Sequence, residues 1–121
     1  MYKLSKKIIL RKNKNFQSLY FSGKSYANKY IVIYLLPAKE KSPKVGFAAG
    51  KRLGNAVVRN RVKRLLRETY RLNQQHIKTD LQLLLVGRKS IIGKKQTVVN
   101  EAFVNLCTKA GIFDKRRAKG E

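Results

Sequence analysis

Hydrophobic positions recur at two spacings along this chain, one typical of helices and the other of strands. In residues 13–22, Phe16, Leu19 and Tyr20 repeat at intervals of three and four, which places them on one side of a helix. Gly23 follows at once and suits a helix end, because glycine readily adopts the left-handed conformation of a C-terminal cap. A first helix is therefore predicted at 13–22.

The clearest strand pattern is YIVIYLL, residues 30–36, where β-branched and aromatic residues dominate and Pro37 follows. Alternate side chains of a strand point to opposite faces, so one face here is purely aliphatic and the other carries two tyrosines. The aliphatic face, expected in the core, comprises Ile31, Ile33 and Leu35. The opposite face includes Tyr34, and the polar tips of its tyrosine side chains can tolerate solvent.

Two further strands are predicted, at 44–50 and 81–87. In the first, larger side chains alternate with Gly46, Ala48 and Gly50, which leaves one face nearly bare. Either a ligand or a closely packed helix could lie against such a face, and the sequence leaves both open. The second, LQLLLVG, has the length of a buried strand, although its leucine content leaves a helix possible.

The run GKRLGNAVVRNRVKRLLRE, residues 50–68, predicts a helix with one apolar and one cationic face. Asn55 is a good N-cap and marks its start. At about 100° per residue, the apolar positions gather within roughly a third of the circle. They are Val58, Val62, Leu65, Leu66 and Thr69. This face is expected to pack on the core.

Positive charge is concentrated on this helix and just before it. The cations are Lys51, Arg52, Arg59, Arg61, Lys63, Arg64, Arg67 and Arg71. Asn60 shares the polar face, while Arg59 and Arg61 fall at its two borders and can reach neighbours on either flank. Any one arginine could be an ordinary solvated side chain, but so many together indicate a surface that binds a polyanion.

A final helix is predicted after the basic loop RKSIIGKK, with Thr97 as its cap and Gly111 at its end. Its apolar stripe comprises Val99, Phe103, Leu106, Cys107 and Ala110. Cys107 is the lone cysteine, so it forms no internal disulfide and is expected to be a small buried hydrophobe. The basic tail at 114–121 is expected to be disordered, which leaves a single domain at 1–113.

Charge narrows the class of partner. Lysine and arginine number 29 against 6 acidic residues, giving a net charge of +23, which favours nucleic acid. Binding to an anionic membrane would favour an exposed apolar helix, whereas the apolar residues here are needed for a core. The sequence contains no run of about 18 apolar residues, so no membrane-spanning helix is predicted. The patch at 8–10 is too short for a signal peptide, so a cytoplasmic location is expected.

Residues suited to catalysis are scarce and scattered. The 6 acidic residues lie in loops, helices and the tail, and no two are spaced to share a metal ion. His76 is the lone histidine and is expected at the surface or as a helix cap. With one histidine and one cysteine, zinc binding has no support. We therefore predict no catalytic residue and no metal ligand among the side chains.

Three aromatic residues are candidates for stacking on unpaired RNA bases: Phe16, Tyr20 and Tyr34. Stacking on such rings contributes roughly 1–3 kcal/mol per base. Ordinary core packing explains the spacing of the same rings equally well. The residues alone leave both interpretations open.

The stretch KRLGNAVVRNRVKRLLRE resembles the signature of the bacterial ribonuclease P protein components, whose RNR motif corresponds here to Arg59, Asn60 and Arg61. Two other segments extend the resemblance. RKNKNFQSLYFSGKSYANKYIVIY is similar to the family's N-terminal helix and first strand, and KVGFAAGK to the strand before its basic helix. The resemblance covers roughly residues 8–110.

This resemblance implies an α/β fold of the α+β sandwich type, with a single domain in the order αβββαβα. Helices would pack on a mixed four-stranded sheet, and the basic helix would form a left-handed crossover between parallel strands. General chirality rules favour the right-handed form in about 98% of cases, so the residues alone would not predict this feature.

The resemblance also implies a function. The family's protein is the non-catalytic subunit of an endoribonuclease whose active site lies in a large RNA, which removes the 5′ leader of precursor tRNA. Lys12, Phe16, Tyr20 and Tyr34 match the cleft that receives the leader. The RNA-binding positions on and before the basic helix match Lys51, Arg52, Arg59, Asn60, Arg61, Lys63, Arg64, Arg67 and Arg71.

The partners implied are the ribonuclease P RNA and precursor tRNA, with no membrane and no required protein partner. Mg²⁺ is expected at the RNA active site, with no ligand from protein side chains. The family often has phenylalanine where this chain has Tyr20, and tyrosine stacks as well.

Three other classes compete with this interpretation. A basic ribosomal or ribosome-assembly protein would be equally small and cationic. A self-sufficient nuclease would need catalytic groups that the sequence does not bring together. A DNA-binding regulator has little support, because no helix-turn-helix spacing precedes the basic helix.

Overall fold

Four strands and two α-helices lie in the part of the chain that the computed structural model describes, residues 23–37, 44–78 and 80–114. The helix predicted at 13–22, with Lys12, Phe16 and Tyr20, lies outside the described residues. So does the tail beyond Asp114. The described fold comprises the sheet, the basic helix and the last helix.

The strands and helices follow one another in the order that the resemblance implies after its first helix. They are β1 (Lys24–Ala27), β2 (Ile31–Pro37), β3 (Lys44–Ala49), α1 (Ala56–Asn73), β4 (Leu81–Gly87) and α2 (Gln96–Lys109). Short 3-10 turns span Lys51–Leu53, Gln74–His76 and Lys89–Ile91. The predicted strands at 30–36, 44–50 and 81–87 are confirmed to within one residue at each end.

The strands form one mixed sheet in the order β1-β2-β4-β3. β1 pairs with β2, and β2 with β4, in antiparallel register, whereas β3 and β4 run parallel. Parallel neighbours need a long connection, which α1 supplies. The mixed α+β architecture is thus confirmed, and the left hand of the crossover stays a prediction.

One face of the sheet, here called the core face, is covered by both helices. The aliphatic face of β2 lies there as predicted, with Ile31 and Ile33 fully buried. Tyr70 of α1 packs edge-on between Phe47 of β3 and Phe103 of α2, with ring centroids 6.2 and 6.4 Å away. The hydrophobic core therefore joins sheet and helices through three aromatic rings.

The opposite face of the sheet, here called the second face, carries the alternate residues of the same strands. Leu84 of the central strand β4 is fully buried there, and Tyr34 and Val86 pack against it. The neighbouring Leu83 and Leu85 are buried on the core face. A central strand buried on both faces needs a continuous apolar run, which is why LQLLLVG forms a strand.

Gly87 allows α1 to lie close to the end of β4. A Cβ atom added there would lie 2.5 Å from Cγ1 of Val62 and 3.5 Å from Cγ2 of Ile91. The turn at Lys89–Ile91 therefore packs directly beside α1. This approach fixes the position of the basic helix over the sheet.

The prediction that Thr97 caps the last helix is wrong. α2 begins at Gln96 after Lys95, whose backbone is extended and whose side chain makes no capping hydrogen bond. Instead Gln96 Nε2 donates to Thr69 Oγ1 of α1 at 2.6 Å. A tertiary hydrogen bond between the helices, rather than a local cap, thus holds the first turn. The buried stripe Val99, Phe103, Leu106 and Cys107 is confirmed.

Candidate RNA-binding surface

The register of α1 is fixed at its N-terminus. The Asn55 side-chain oxygen accepts a hydrogen bond from the backbone N–H of Val58 at 3.1 Å, which confirms Asn55 as the N-cap. Val62, Leu66 and Thr69 are buried on the core side. The face they define forces the intervening polar residues outwards.

The polar face of α1 and the turn before it form a continuous cationic area, here called the basic surface. Its residues are Lys51, Arg52, Arg59, Asn60, Arg61, Lys63, Arg64, Arg67 and Arg71. All are exposed except Arg59 and Arg71, which are half-buried. The structure therefore leaves seven of these nine predicted residues exposed on α1 or in the turn before it. Which RNA each one contacts stays a prediction.

The two border arginines of α1 do face different surroundings, as their angular positions predict. Arg61 lines a groove between α1 and the loop around Ile92. Arg59 lies at the opposite border of the apolar face and is half-buried. One helix can therefore present cations on both of its flanks.

Arg67 is held over an aromatic ring of the sheet. Its guanidinium carbon lies 5.7 Å from the centroid of the Phe47 ring, close enough for a cation–π interaction. The residue remains exposed. Its charge is therefore positioned by the core while still available to solvent and to a polyanion.

Arg71 differs from its neighbours because it forms an ion pair with Glu68. Its Nε and Nη2 donate to the two carboxylate oxygens of Glu68 at 2.6 and 2.8 Å. This hydrogen bonding lowers the pKa of Glu68 below its ordinary value. Sequence reasoning missed this pair, although the i, i+3 spacing of opposite charges on a helix indicates it.

Tyr34 lies on the second face, away from the basic surface. It is half-buried and packs against Leu84, its direct partner across the β2–β4 ladder. Gly46 of β3 is paired with Leu84 on the other side, so this row of the sheet ends without a side chain. The second face therefore carries the half-buried ring of Tyr34, and Gly46 at the end of its row is buried.

The structure does not bring Tyr34 and the basic helix together, because the sheet lies between them. Residues of α1 pack on the core face, whereas Tyr34 points to the other. The turn Lys51–Leu53 follows the end of β3 after Gly50, and its Leu53 is buried in the core. The other predicted cleft residues, Lys12, Phe16 and Tyr20, lie outside the described residues.

Sequence reasoning assigned no role to the loop after β4, and the structure gives it one. Lys94 from this loop and Lys29 from the β1–β2 turn both lie over the ring of Tyr30, at 6.0 and 5.8 Å. Arg88 donates to the Asn28 carbonyl oxygen at 2.9 Å and ties the loop to the same turn. The basic sequence RKSIIGKK was the available indication that this loop adds to the cationic area.

Within the described ranges, the side chains assemble no metal centre. There, no three histidine, cysteine or acidic side chains come close enough to hold a metal ion. Cys107 is buried, and burial raises the pKa of its thiol well above the ordinary value, so it is not a ready nucleophile. Among the described helices, none is both long and apolar enough to cross a membrane.

An α+β domain with an exposed cationic helix has the form of a nucleic-acid-binding protein. The family model described as Ribonuclease P matches residues 4–111. A ribonuclease P protein component from Clostridium perfringens is 41% identical over 89% of this chain and 92% of its own length. One from Clostridium botulinum is 40% identical over 87% and 96%. The chain belongs to the ribonuclease P protein family.

Solved structures give the same result for the fold. The RNase P protein of Staphylococcus aureus superposes with a TM-score of 0.79 at 28% identity, over 88% of this chain and 98% of that one. The RNase P protein of Thermotoga maritima gives a TM-score of 0.75 at 26% identity, over 83% and 94%. The resemblance inferred from the sequence is therefore confirmed.

Membership of this family places the chain in a ribonucleoprotein that processes tRNA. It is a protein component of ribonuclease P, an endoribonuclease, and a partner of ribonuclease P RNA. The ribosomal and DNA-binding alternatives lose their support.

Proposed function

We propose that this chain is the non-catalytic subunit of ribonuclease P and binds both RNAs of the reaction. The basic surface binds the ribozyme RNA. The second face, with Tyr34, holds the 5′ leader of precursor tRNA in a cleft completed by Lys12, Phe16 and Tyr20. The complex works in the cytoplasm and requires no other protein.

One observation carries the proposal: the polar face of α1 exposes a cluster of cations. Glu68 is the acidic residue of α1, and Arg71 already neutralises it. The exposed arginines Arg61, Arg64 and Arg67 therefore have charge to offer to phosphates. Binding of RNA relieves the mutual repulsion that a net charge of +23 imposes on the folded chain.

The leader site follows from the chemistry of the second face. An extended single strand can stack a base on Tyr34, which is half-buried on this face. Such contacts tolerate any sequence, because every base has a stackable face. A subunit that acts on many precursor tRNAs needs this tolerance.

Bond cleavage in this proposal belongs to the RNA. Mg²⁺ bound at the RNA active site would supply the activation of the attacking water, and protein side chains would supply no ligand to it. The protein's cations reduce the repulsion between ribozyme and substrate phosphates, which Mg²⁺ would otherwise have to screen. The protein therefore lowers the Mg²⁺ concentration at which cleavage is efficient.

The test is a cleavage assay on precursor tRNA at low Mg²⁺ with RNA subunit alone, protein alone, and both together. We expect efficient release of the leader with both components and little with either one. Cleavage by RNA-free protein would contradict the assignment of catalysis to the RNA. Failure of the protein to stimulate the RNA would contradict the proposal as a whole.

A further inference from the structure

A groove of about 750 Å³ lies between α1 and the loop that follows β4, and nothing above gives it a role. Its floor is aliphatic, formed by Val58, Val62 and Leu65 of α1 and by Ile91 of the loop. Two more aliphatic side chains line its mouth, Val57 and Ile92, which are 67% and 37% exposed. Apolar side chains exposed this far normally mark a binding site when they adjoin an apolar groove.

The groove is preformed, because both of its walls are anchored. The Gly87 contact brings Ile91 against α1, as described above. Gly93 adopts a positive φ of 79°, which turns the loop back towards α2. The 2.6 Å hydrogen bond from Gln96 to Thr69 then closes the far end. A ligand would find the walls in place, so binding costs little ordering of the chain.

Charge around the groove selects its occupant. Arg61, Arg64 and Lys94 line its rim, and Glu68, the one acidic residue among the described residues that line it, is paired with Arg71. An occupant must therefore combine an apolar body with negative charge at its edges. A second copy of this chain, with its own charge of +23, would be repelled.

We propose that this groove takes one or two unstacked nucleotides of the ribonuclease P RNA. Base faces lie on the aliphatic floor, and the flanking phosphates contact Arg61, Arg64 and Lys94. The groove has the volume of a small-molecule pocket, roughly 300–1,000 Å³, and extruded bases are held between apolar side chains in other proteins. This inference rests on the proposed function. It adds that the protein binds the ribozyme RNA through the shape of an apolar groove as well as through charge.

The first test truncates the mouth of the groove. Val57→Ala plus Ile92→Ala should weaken binding to the ribozyme RNA by about fivefold or more, because apolar contact area is lost. The salt dependence of binding should stay unchanged, because no cation is removed. The matched control is Leu72→Ala plus Val98→Ala, which truncates side chains 39% and 36% exposed and outside the groove. This control should bind as the wild type does.

The second test locates the RNA directly. The buried Cys107 has a raised pKa and reacts slowly, so a thiol introduced at an exposed position can be labelled selectively with a photoreactive group. A label on Lys95→Cys, beside the groove, should crosslink to one short segment of the ribozyme RNA. A label on Asn105→Cys, on the exposed side of α2, should not reach that segment.

Failure of this inference is distinguishable from failure of the proposed function. If wild-type protein stimulates cleavage but the groove variant binds RNA as tightly as its control, the inference alone is overturned. A variant that instead changes the oligomeric state would show a protein occupant and overturn it too. If wild-type protein does not stimulate cleavage, the proposed function itself is lost.

Discussion

Tyr34 and Tyr70 are the same residue type in opposite surroundings. Tyr34 is half-buried on the second face, whereas Tyr70 is 2% exposed between Phe47 and Phe103. The sequence identified Tyr34 as a candidate from its place on a strand face. It did not identify Tyr70, because that residue falls beside the apolar face of α1 and its burial depends on rings from β3 and α2. Residue roles set by long-range contacts cannot be derived from local spacing.

Replacing Tyr34 tests the leader site. Tyr34→Ala should weaken binding of precursor tRNA to the assembled enzyme by about tenfold, because stacking contributes roughly 1–3 kcal/mol per base. Binding of mature tRNA, which has no leader, should change little. The affinities of both RNAs for the same holoenzyme, measured by gel filtration or filter binding, provide the comparison.

Tyr34→Phe is the matched control for this change, because it keeps the ring and removes the hydroxyl. It should bind precursor tRNA nearly as tightly as the wild type. If Tyr34→Ala weakens precursor and mature tRNA equally, Tyr34 does not contact the leader. If Tyr34→Phe loses as much as Tyr34→Ala, the hydroxyl rather than the ring makes the contact.

Tyr70 makes the stability of the fold sensitive to alkaline pH. Burial raises the pKa of Tyr70 from 10.0 to about 12. Between these values the unfolded chain has lost the phenolic proton and the folded chain keeps it, so the free energy of unfolding falls as pH rises. The loss attributable to Tyr70 should reach about 2 kcal/mol by pH 12 and be absent below pH 10.

Tyr70→Phe isolates this contribution, because the ring stays and the ionisable group goes. Denaturant unfolding of both proteins at pH 8, 10, 11 and 12 measures the difference between their unfolding free energies. That difference should shift in favour of the phenylalanine variant only above pH 10. A constant difference across the series would show that Tyr70 titrates normally in the folded state.

At the scale of elements, sequence patterns correctly predicted the features that depend on neighbouring residues, such as a helix cap or the buried face of a strand. The N-cap Asn55, the apolar face of α1 and the alternation of β2 were all confirmed. Thr97 failed as a cap because the start of α2 is held by a hydrogen bond to α1, which no local pattern records. The sequence also left residues 81–87 open between strand and helix. They form a strand, which lies between two others in the sheet.

Gly87 tests how closely α1 must approach the sheet. Gly87→Ala places a Cβ 2.5 Å from Cγ1 of Val62, so α1 or the strand must shift. We expect a loss of about 1–3 kcal/mol in unfolding free energy, the usual cost of overpacking. Gly50→Ala is the matched control, because its added Cβ meets nothing within 4 Å.

The double variant Gly87→Ala plus Val62→Ala tests whether contact with Val62 causes the loss of stability in Gly87→Ala. Removing the Val62 methyl groups makes room for the new Cβ. The double variant should therefore lose less unfolding free energy than the sum of the losses in the two single variants. Chemical denaturation of the four proteins measures the coupling. Strict additivity would mean that Gly87 is needed for a reason other than its contact with α1.

At the scale of the whole molecule, composition predicted the sign of the charge but not its distribution. The net charge of +23 indicates a polyanion partner without saying where it binds. Only the fold shows that α1 and Tyr34 lie on opposite sides of one sheet. The order of elements came from the resemblance to a family, because pairing between distant strands is not encoded in local spacing.

The basic surface predicts how binding to the ribozyme RNA responds to salt. The logarithm of the affinity should fall linearly with the logarithm of salt concentration, by about 0.7–0.9 for each phosphate contact. Arg64→Gln removes an exposed cation and should reduce the slope by about one such contact. Affinities measured at four or more salt concentrations give the slope for each protein.

Arg71→Gln is the informative comparison, because it removes the same charge from the same face of α1. The Arg71 guanidinium already donates to Glu68 at 2.6 and 2.8 Å, so it has less charge to offer to RNA. Its replacement should change the slope by less than that of Arg64 does. An equal effect of the two substitutions would contradict this expectation and would indicate that Arg71 gives up its carboxylate partner when RNA binds. A larger effect for Arg71 would place the main phosphate contact at the C-terminal end of the helix.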